Sequence, residues 1–151
     1  MNERPIDILL VEDNPLEVEL TVRAFRKLDP SKQIEVARDG AEALILLGLE
    51  PGESGEERVV APHLILMDLK LPKLDGLALL GRIRAADRTR LVPVVMLTTS
   101  CESKDVVAAY QLGANSFLIK PIEFGKFQEA VEILARYWFE LAQTAPPLLS
   151  K

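Results

Sequence analysis

Apolar positions along this chain follow two alternating rhythms. Short, nearly continuous runs read as strands: residues 6–11 (IDILLV), 64–68 (LILMD) and 92–98 (VPVVMLT). Residues 33–37 (QIEVA) alternate apolar and polar, and 116–119 (SFLI) form a shorter run. Between them lie stretches with helical spacing. Residues 15–28 carry Leu16, Leu20, Phe25 and Leu28, with Asn14 as N-cap and Pro15 at the first helical position. Residues 39–49 start on Asp39, 74–86 follow the third strand, and 103–112 run up to Gly113, which can end a helix. Residues 123–143 form a long last helix. The pattern is five β–α units, which predicts a parallel sheet with helices on both faces. The unbroken apolar character of the first, third and fourth strands agrees, because such strands are buried on both sides. Residues 50–62 (EPGESGEERVVAP) read as a mobile surface insertion, and TAPPLLSK after Gln143 as a frayed tail.

Length and composition narrow the class. A chain of 151 residues suits one domain. A single cysteine, Cys101, excludes an internal disulfide framework and a cysteine-based zinc cluster, and fits a reducing cytoplasmic setting. The polar N-terminus has no signal-peptide core, and no apolar run approaches the ~20 residues that span a membrane. The net charge of −5 comes with no basic block. Arg82, Arg84, Arg88 and Arg90 cluster, but Asp87 and helical spacing spread them over what reads as a solvated face, not a nucleic-acid footprint.

The chemistry is expected where the strands end, because ligands of open α/β sheets bind outside the carboxyl ends of the strands. The first strand ends at Glu12 and Asp13, the third at Asp68, the fourth at Thr98, Thr99 and Ser100, and the fifth at Lys120 before Pro121. With the strand order 2-1-3-4-5, Glu12, Asp13 and Asp68 converge on one crevice, with Thr98 and Lys120 across it. Three clustered carboxylates repel one another. A hard divalent cation relieves them, and Mg²⁺ takes carboxylate oxygens and shares its shell with phosphate. Lys120 adds a cation and Thr98 a hydroxyl. These are the parts of a phosphoryl-transfer site, with Asp68, at the tip of a central strand, as nucleophile. His63, the only histidine, reads as structural, and Cys101 carries no redox role.

VEDN at 11–14, LILMDLKLPKLDG at 64–76, VVMLTTS at 94–100 and LGANSFLIKP at 112–121 together resemble the receiver domain of two-component response regulators. The resemblance covers residues 5–142, leaving 1–4 and 143–151 as flexible termini and no output domain. It implies the flavodoxin-like (βα)5 fold and transfer of a phosphoryl group from a phosphohistidine on a sensor kinase to Asp68. By position it implies that Asp13, with Glu12, Asp68 and the backbone carbonyl of Lys70, holds Mg²⁺. Thr98 becomes the switch hydroxyl, Lys120 the phosphate-binding cation, Phe117 the aromatic that swings inward, and Lys120–Pro121 a cis peptide. Lys70 and Ser100 occupy positions that tune phosphoryl lifetime. The long insertion, the LTTS ending and the aromatic-rich last helix look like the small regulators that partner bacterial phytochromes. The only implied chemistry is self-directed: phosphotransfer and slow self-dephosphorylation, with an unknown downstream protein as target.

Other classes fit less well. A haloacid-dehalogenase-like enzyme needs a second acid two residues after the nucleophile, where this chain has Lys70. A flavodoxin-like cofactor binder needs a Gly- or Ser-rich phosphate loop where this chain has EDNPLE. A degenerate receiver acting purely as a binding module would not need Glu12, Asp13, Asp68, Thr98 and Lys120 together. In the last helix Phe127, Val131, Leu134, Trp138 and Leu141 can face the core, leaving Phe124, Ile133, Tyr137 and Phe139 on other faces. That surplus predicts a homodimer through helix 4, strand 5 and helix 5. The alternative is that Pro146, Pro147, Leu148 and Leu149 fold back as a cover.

Overall fold

A computed structural model describes residues 3–53, 58–99 and 102–146. Its strands are β1 (Glu3–Val11), β2 (Ile34–Ala37), β3 (Val59–Met67), β4 (Val94–Thr98) and β5 (Ser116–Ile119). They pair in parallel in the order β2-β1-β3-β4-β5. The helices are α1 (Pro15–Leu28), α2 (Gly40–Leu46), α3 (Gly76–Ala85), α4 (Ser103–Gln111) and α5 (Phe124–Arg136). The architecture has the five β–α units that the alternation predicts, in the flavodoxin-like arrangement that the resemblance implies.

Period-two alternation sorts the strand side chains into two cores. Leu9, Val11, Ile65, Met67, Val94 and Met96 face α2, α3 and α4, where Leu44, Leu80, Ile83 and Ala109 meet them. Ile8, Leu10, Leu64, Leu66, Val95 and Leu97 face α1 and α5, where Phe25, Phe127, Val131 and Leu134 close the layer. A sheet buried on both faces has its strand ends as its main polar frontier, and this puts the chemistry there.

Helix starts follow the expected caps. Asn14 Oδ1 accepts from the N–H groups of Leu16 and Glu17, and Asp39 Oδ1 accepts from Glu42. Gly113, at φ 103°, follows α4 in the left-handed region that glycine tolerates.

Several expectations need correction. The surface insertion is shorter than residues 50–62, because Val59 to Pro62 belong to β3 and pair with Glu3 to Ile6. Pro62 is tolerated because β4 joins β3 only from Ile65 onward, so Pro62 lies where β3 has a neighbour on one side. The arginine cluster divides: Arg82 and Arg90 are exposed, as a solvated face requires, whereas Arg84 and Arg88 are partly buried. Arg88 pairs with Glu3. Arg84 donates to the carbonyls of Gly113, Arg90 and Val92 at 2.9, 3.1 and 2.7 Å and to Asn115 Oδ1 at 2.9 Å. Burial pulls its pKa below the usual arginine value. It ties α3 to the loops that enter β4 and β5.

The last helix also differs. After Arg136 it widens into one π-helical stretch, Tyr137–Leu141, closed by Ala142 N–H donating to the Tyr137 carbonyl at 2.7 Å. The wider turn rotates the stripe, so Trp138 is only half-buried and Leu141 is 70% exposed, not in the core. Phe139 turns inward and stacks on His63 with centroids 4.8 Å apart, while Lys32 Nζ sits 3.7 Å from its other face. His63 Nε2–H donates to the Trp138 carbonyl at 2.8 Å, in keeping with a structural role. Thr144 to Pro146 line a cavity with His63, Leu91 and Pro93, away from the outer face of α5. Pro147, Leu148 and Leu149 lie outside the described residues, as do Ser100 and Cys101.

Replacing Arg84 with Met should lower the free energy of unfolding by about 2–4 kcal/mol, since each charge-assisted hydrogen bond is worth about 1.5–3 kcal/mol. Urea unfolding checks this, with an unchanged m-value expected. A variant as stable as the parent would show that these loops are held by other contacts.

Candidate functional site

Backbone hydrogen bonds bring the strand ends into register. Glu12 N–H donates to the Ala37 carbonyl, Asp68 N–H to Val11, and Lys120 N–H to Thr98, at 3.0, 3.0 and 2.8 Å. Glu12 and Asp68 thus leave neighbouring central strands side by side, and Lys120 reaches them from the far edge of the sheet. Its ammonium lies 2.6 Å from Glu12 Oε1, 3.0 Å from Glu17 Oε1 and 3.9 Å from Asp68 Oδ2. The side chains of Lys120 and Glu12 are 7% and 2% exposed, so this is a buried ion pair.

Burial drives the electrostatics. Desolvation pushes the Glu12 carboxyl up to about 7, although Lys120 and the Asn14 N–H pull it the other way. Desolvation also opposes the charge on Lys120, but its hydrogen bonds to Glu12 and Glu17 and the nearby Asp68 hold its pKa above the ordinary lysine value. The lysine stays charged because three acids surround it.

The loop after β3 shapes the approach to Asp68. Asp68 Oδ1 accepts from the Leu69 N–H at 2.6 Å. Leu74 N–H donates to the Pro72 carbonyl at 2.7 Å across Lys73, whose φ of 66° places it in the left-handed region. Gly76 then brings the start of α3 back against the loop, its N–H donating to the Leu69 carbonyl at 2.8 Å. A Cβ at position 76 would lie 2.4 Å from the Asp68 carbonyl oxygen, so only glycine fits there.

The expected residues do not all gather. Glu12, Asp68 and Lys120 do. Thr98 is 2% exposed, at the end of β4 beside them. Asp13 is exposed at the head of α1, and Lys70 is exposed two residues after Asp68. Phe117 is half-buried against the α2–α4 core, with its N–H donating to the Tyr110 hydroxyl at 3.1 Å. No cis peptide occurs among the described residues, so Lys120–Pro121 is trans, the isomer favoured by about 0.5–1 kcal/mol for such bonds.

The third acid of the cluster is Glu17, which lies in the first turn of α1 and not at a strand end. Ligand oxygens of Glu12, Glu17 and Asp68 all lie within 4.8 Å of one another. The available signal was its place one helical turn after Asp13. In a first turn, though, an acid needs no partner beyond the helix dipole. The donor set is all carboxylate oxygen, which suits a hard divalent cation.

Comparison with known proteins gives this arrangement a family. Residues 8–132 match the model of the response regulator receiver domain. The chain belongs to that family. It is 43% identical over 136 residues to the probable methanogenesis regulatory protein FilR2 of Methanothrix harundinacea, covering 90% of this chain and 85% of that protein. It is 34% identical to the response regulator Rcp1 of Synechocystis over 137 residues, 90% of each chain. The Mn²⁺-bound structure of Rcp1 superposes with a TM-score of 0.82, covering 94% of this chain and all of that one at 32% identity. The phosphorylated cyanobacterial phytochrome response regulator RcpA superposes at 0.83, covering 96% of this chain and all of that one at 30% identity. This receiver is therefore similar to single-domain regulators that include phytochrome response regulators. No helix among its described residues is long and apolar enough to cross a membrane.

Lys120→Met would leave Glu12, Glu17 and Asp68 without their cation. Breaking a buried pair costs up to about 3–5 kcal/mol, less here because Glu12 can take up a proton. The melting temperature should fall, and Mg²⁺ should raise it more in the variant than in the parent. A melting temperature equal to the parent's would show that the lysine does not hold the acids together.

Proposed function

We propose that this receiver accepts a phosphoryl group on Asp68 in a Mg²⁺-dependent reaction and thereby switches its protein contacts. The observation that carries this is the buried Lys120 ammonium shared by carboxylates from two strands and a helix, with Asp68 the acid at the tip of β3. A carboxylate oxygen of Asp68 attacks the phosphorus of a phosphohistidine on a sensor kinase. The new P–O bond forms as the P–N bond breaks, and the imidazole nitrogen leaves with the electron pair. Lys120 offsets the charge on the phosphoryl oxygens and holds the acceptor in place. Glu12, Asp13, Asp68 and the Lys70 backbone carbonyl would hold the Mg²⁺, which would neutralise the acids and the phosphoryl oxygens. Slow hydrolysis of the aspartyl phosphate resets the site. The likeness to RcpA and Rcp1 makes a phytochrome kinase the first donor to test, and the target is another protein.

The switch runs through Thr98 and Phe117. A phosphoryl group on Asp68 supplies acceptor oxygens that draw the Thr98 hydroxyl inward. Phe117, one strand away and only half-buried, moves into the space released. The face it alters is α4–β5–α5, which this reading makes a homodimer surface. Ile119, Ile133 and Tyr137 are 50%, 70% and 51% exposed there, and a groove of about 290 Å³ lies between β5 and α5.

Incubation with acetyl phosphate should add one phosphoryl mass to the protein with Mg²⁺, none with chelator, and none to Asp68→Asn. Equal labelling of Asp68→Asn and parent would refute the assignment. Light scattering on the same samples tests the dimer; a monomer mass before and after labelling would remove it.

Thr98→Ala should still be labelled, yet lose the phosphorylation-induced change in amide exchange around Phe117. If the exchange change persists, the coupling is wrong.

A further inference from the structure

Glu17 sits in the site without a role in the reaction just proposed. Its backbone is fixed from both sides: its N–H donates to the Asn14 cap at 3.3 Å, and its carbonyl accepts from Thr21 Oγ1 at 2.8 Å. Only the side chain is left to respond. That side chain reaches back over the crevice to Lys120 at 3.0 Å, closer than Asp68 at 3.9 Å. It is 28% exposed, against 2% for Glu12, so the two acids grip the ammonium unequally. Glu12 is the buried anchor and Glu17 the solvent-side one. Glu17 and Lys120 also border a cavity of about 280 Å³, shared with Thr21, Thr99 and Pro121, which gives the Glu17 carboxylate room to withdraw.

We infer that Glu17 is a positioning residue that tethers Lys120 on the α1 side of the crevice and releases it to the phosphoryl group on Asp68. This rests on the phosphoacceptor reading above. In the resting site the ammonium is held by two acids other than the acceptor. The transferred phosphoryl oxygens offer it a denser negative charge beside Asp68, and Glu17, the weaker holder, lets go. The contact thus opposes the first encounter with a phosphodonor, because the cation that should meet the phosphoryl oxygens is already engaged. Glu17 touches neither the phosphorus nor the acceptor in this account. It acts through where the lysine points.

Two variants separate the tether from mere charge. Glu17→Gln removes the charge at nearly constant shape. Glu17→Asp keeps the charge but is one methylene too short to hold the ammonium. Both leave Lys120 on Glu12, and circular dichroism checks that both fold. With acetyl phosphate at saturating Mg²⁺, both should be labelled roughly five- to tenfold faster than the parent, within the effect a misplacement of about 1 Å has at a reacting centre. In the Mg²⁺-free resting protein, the ¹⁵N signal of the Lys120 ammonium should shift in both variants. If Glu17→Asp behaves like the parent in rate and signal, the tether is overturned and the charge alone matters. Unchanged rate and signal in Glu17→Gln overturn it as well. Should the parent take up no phosphoryl group at all, the phosphoacceptor reading fails, while the ammonium signal still decides whether Glu17 holds Lys120.

Discussion

The interaction on which the rest depends is the ammonium of Lys120 set among three carboxylates at the carboxyl edge of the sheet. Glu12, Glu17 and Asp68 crowd negative charge into one crevice, which a cation offsets, and Lys120 at 7% exposure needs anions around it to stay charged. Each side makes the other tolerable. The cluster draws on the ends of β1, β3 and β5 and on the first turn of α1, so it also records that these elements are correctly registered. The raised pKa of Glu12 shows that the balance is incomplete: one lysine does not fully offset the burial of this acid.

Rigidity around the cluster comes from the two-sided core. Ile8, Leu9, Leu64, Ile65 and Leu66 are fully buried, and strands held this way give their terminal residues little freedom. Gly76 adds a local constraint, because its missing side chain lets α3 begin against the Asp68 carbonyl. The loop after β3 is pinned at both ends, by β3 on one side and by α3 on the other. Outside this packed frame lie side chains on the rim: Glu17, Phe117 and the exposed Asp13 and Lys70.

The opposite pole of the sheet is held by different chemistry. Arg84 gathers the carbonyls of loops entering β4 and β5, Arg88 joins α3's exit to the start of β1 through Glu3, and His63 anchors the π-helical end of the chain through the Trp138 carbonyl. These contacts are remote from Asp68. They fix the strands at their amino ends, opposite the carboxyl ends where the charge is crowded.

What the sequence determined by itself was whatever depends on local pattern. Apolar runs alternating with helical spacing specified five β–α units, and Asn14, Asp39 and Gly113 marked helix ends through bonds to nearby backbone. The acid, hydroxyl and lysine at the strand ends were legible because a charged residue closing an apolar run has few local explanations. Other features were settled only by the tertiary structure, because they depend on partners distant in the chain. Val59 to Pro62 became strand because Glu3 to Ile6 lay alongside, despite a proline and flanking loop residues. Phe139 turned inward and Leu141 outward because a π-helical turn shifted their phase. Arg84 proved structural because carbonyls from two loops converge on it. Glu17 joined the site because a helix start folds over the strand end more than one hundred residues before Lys120, a separation of 103 positions that no local pattern spans.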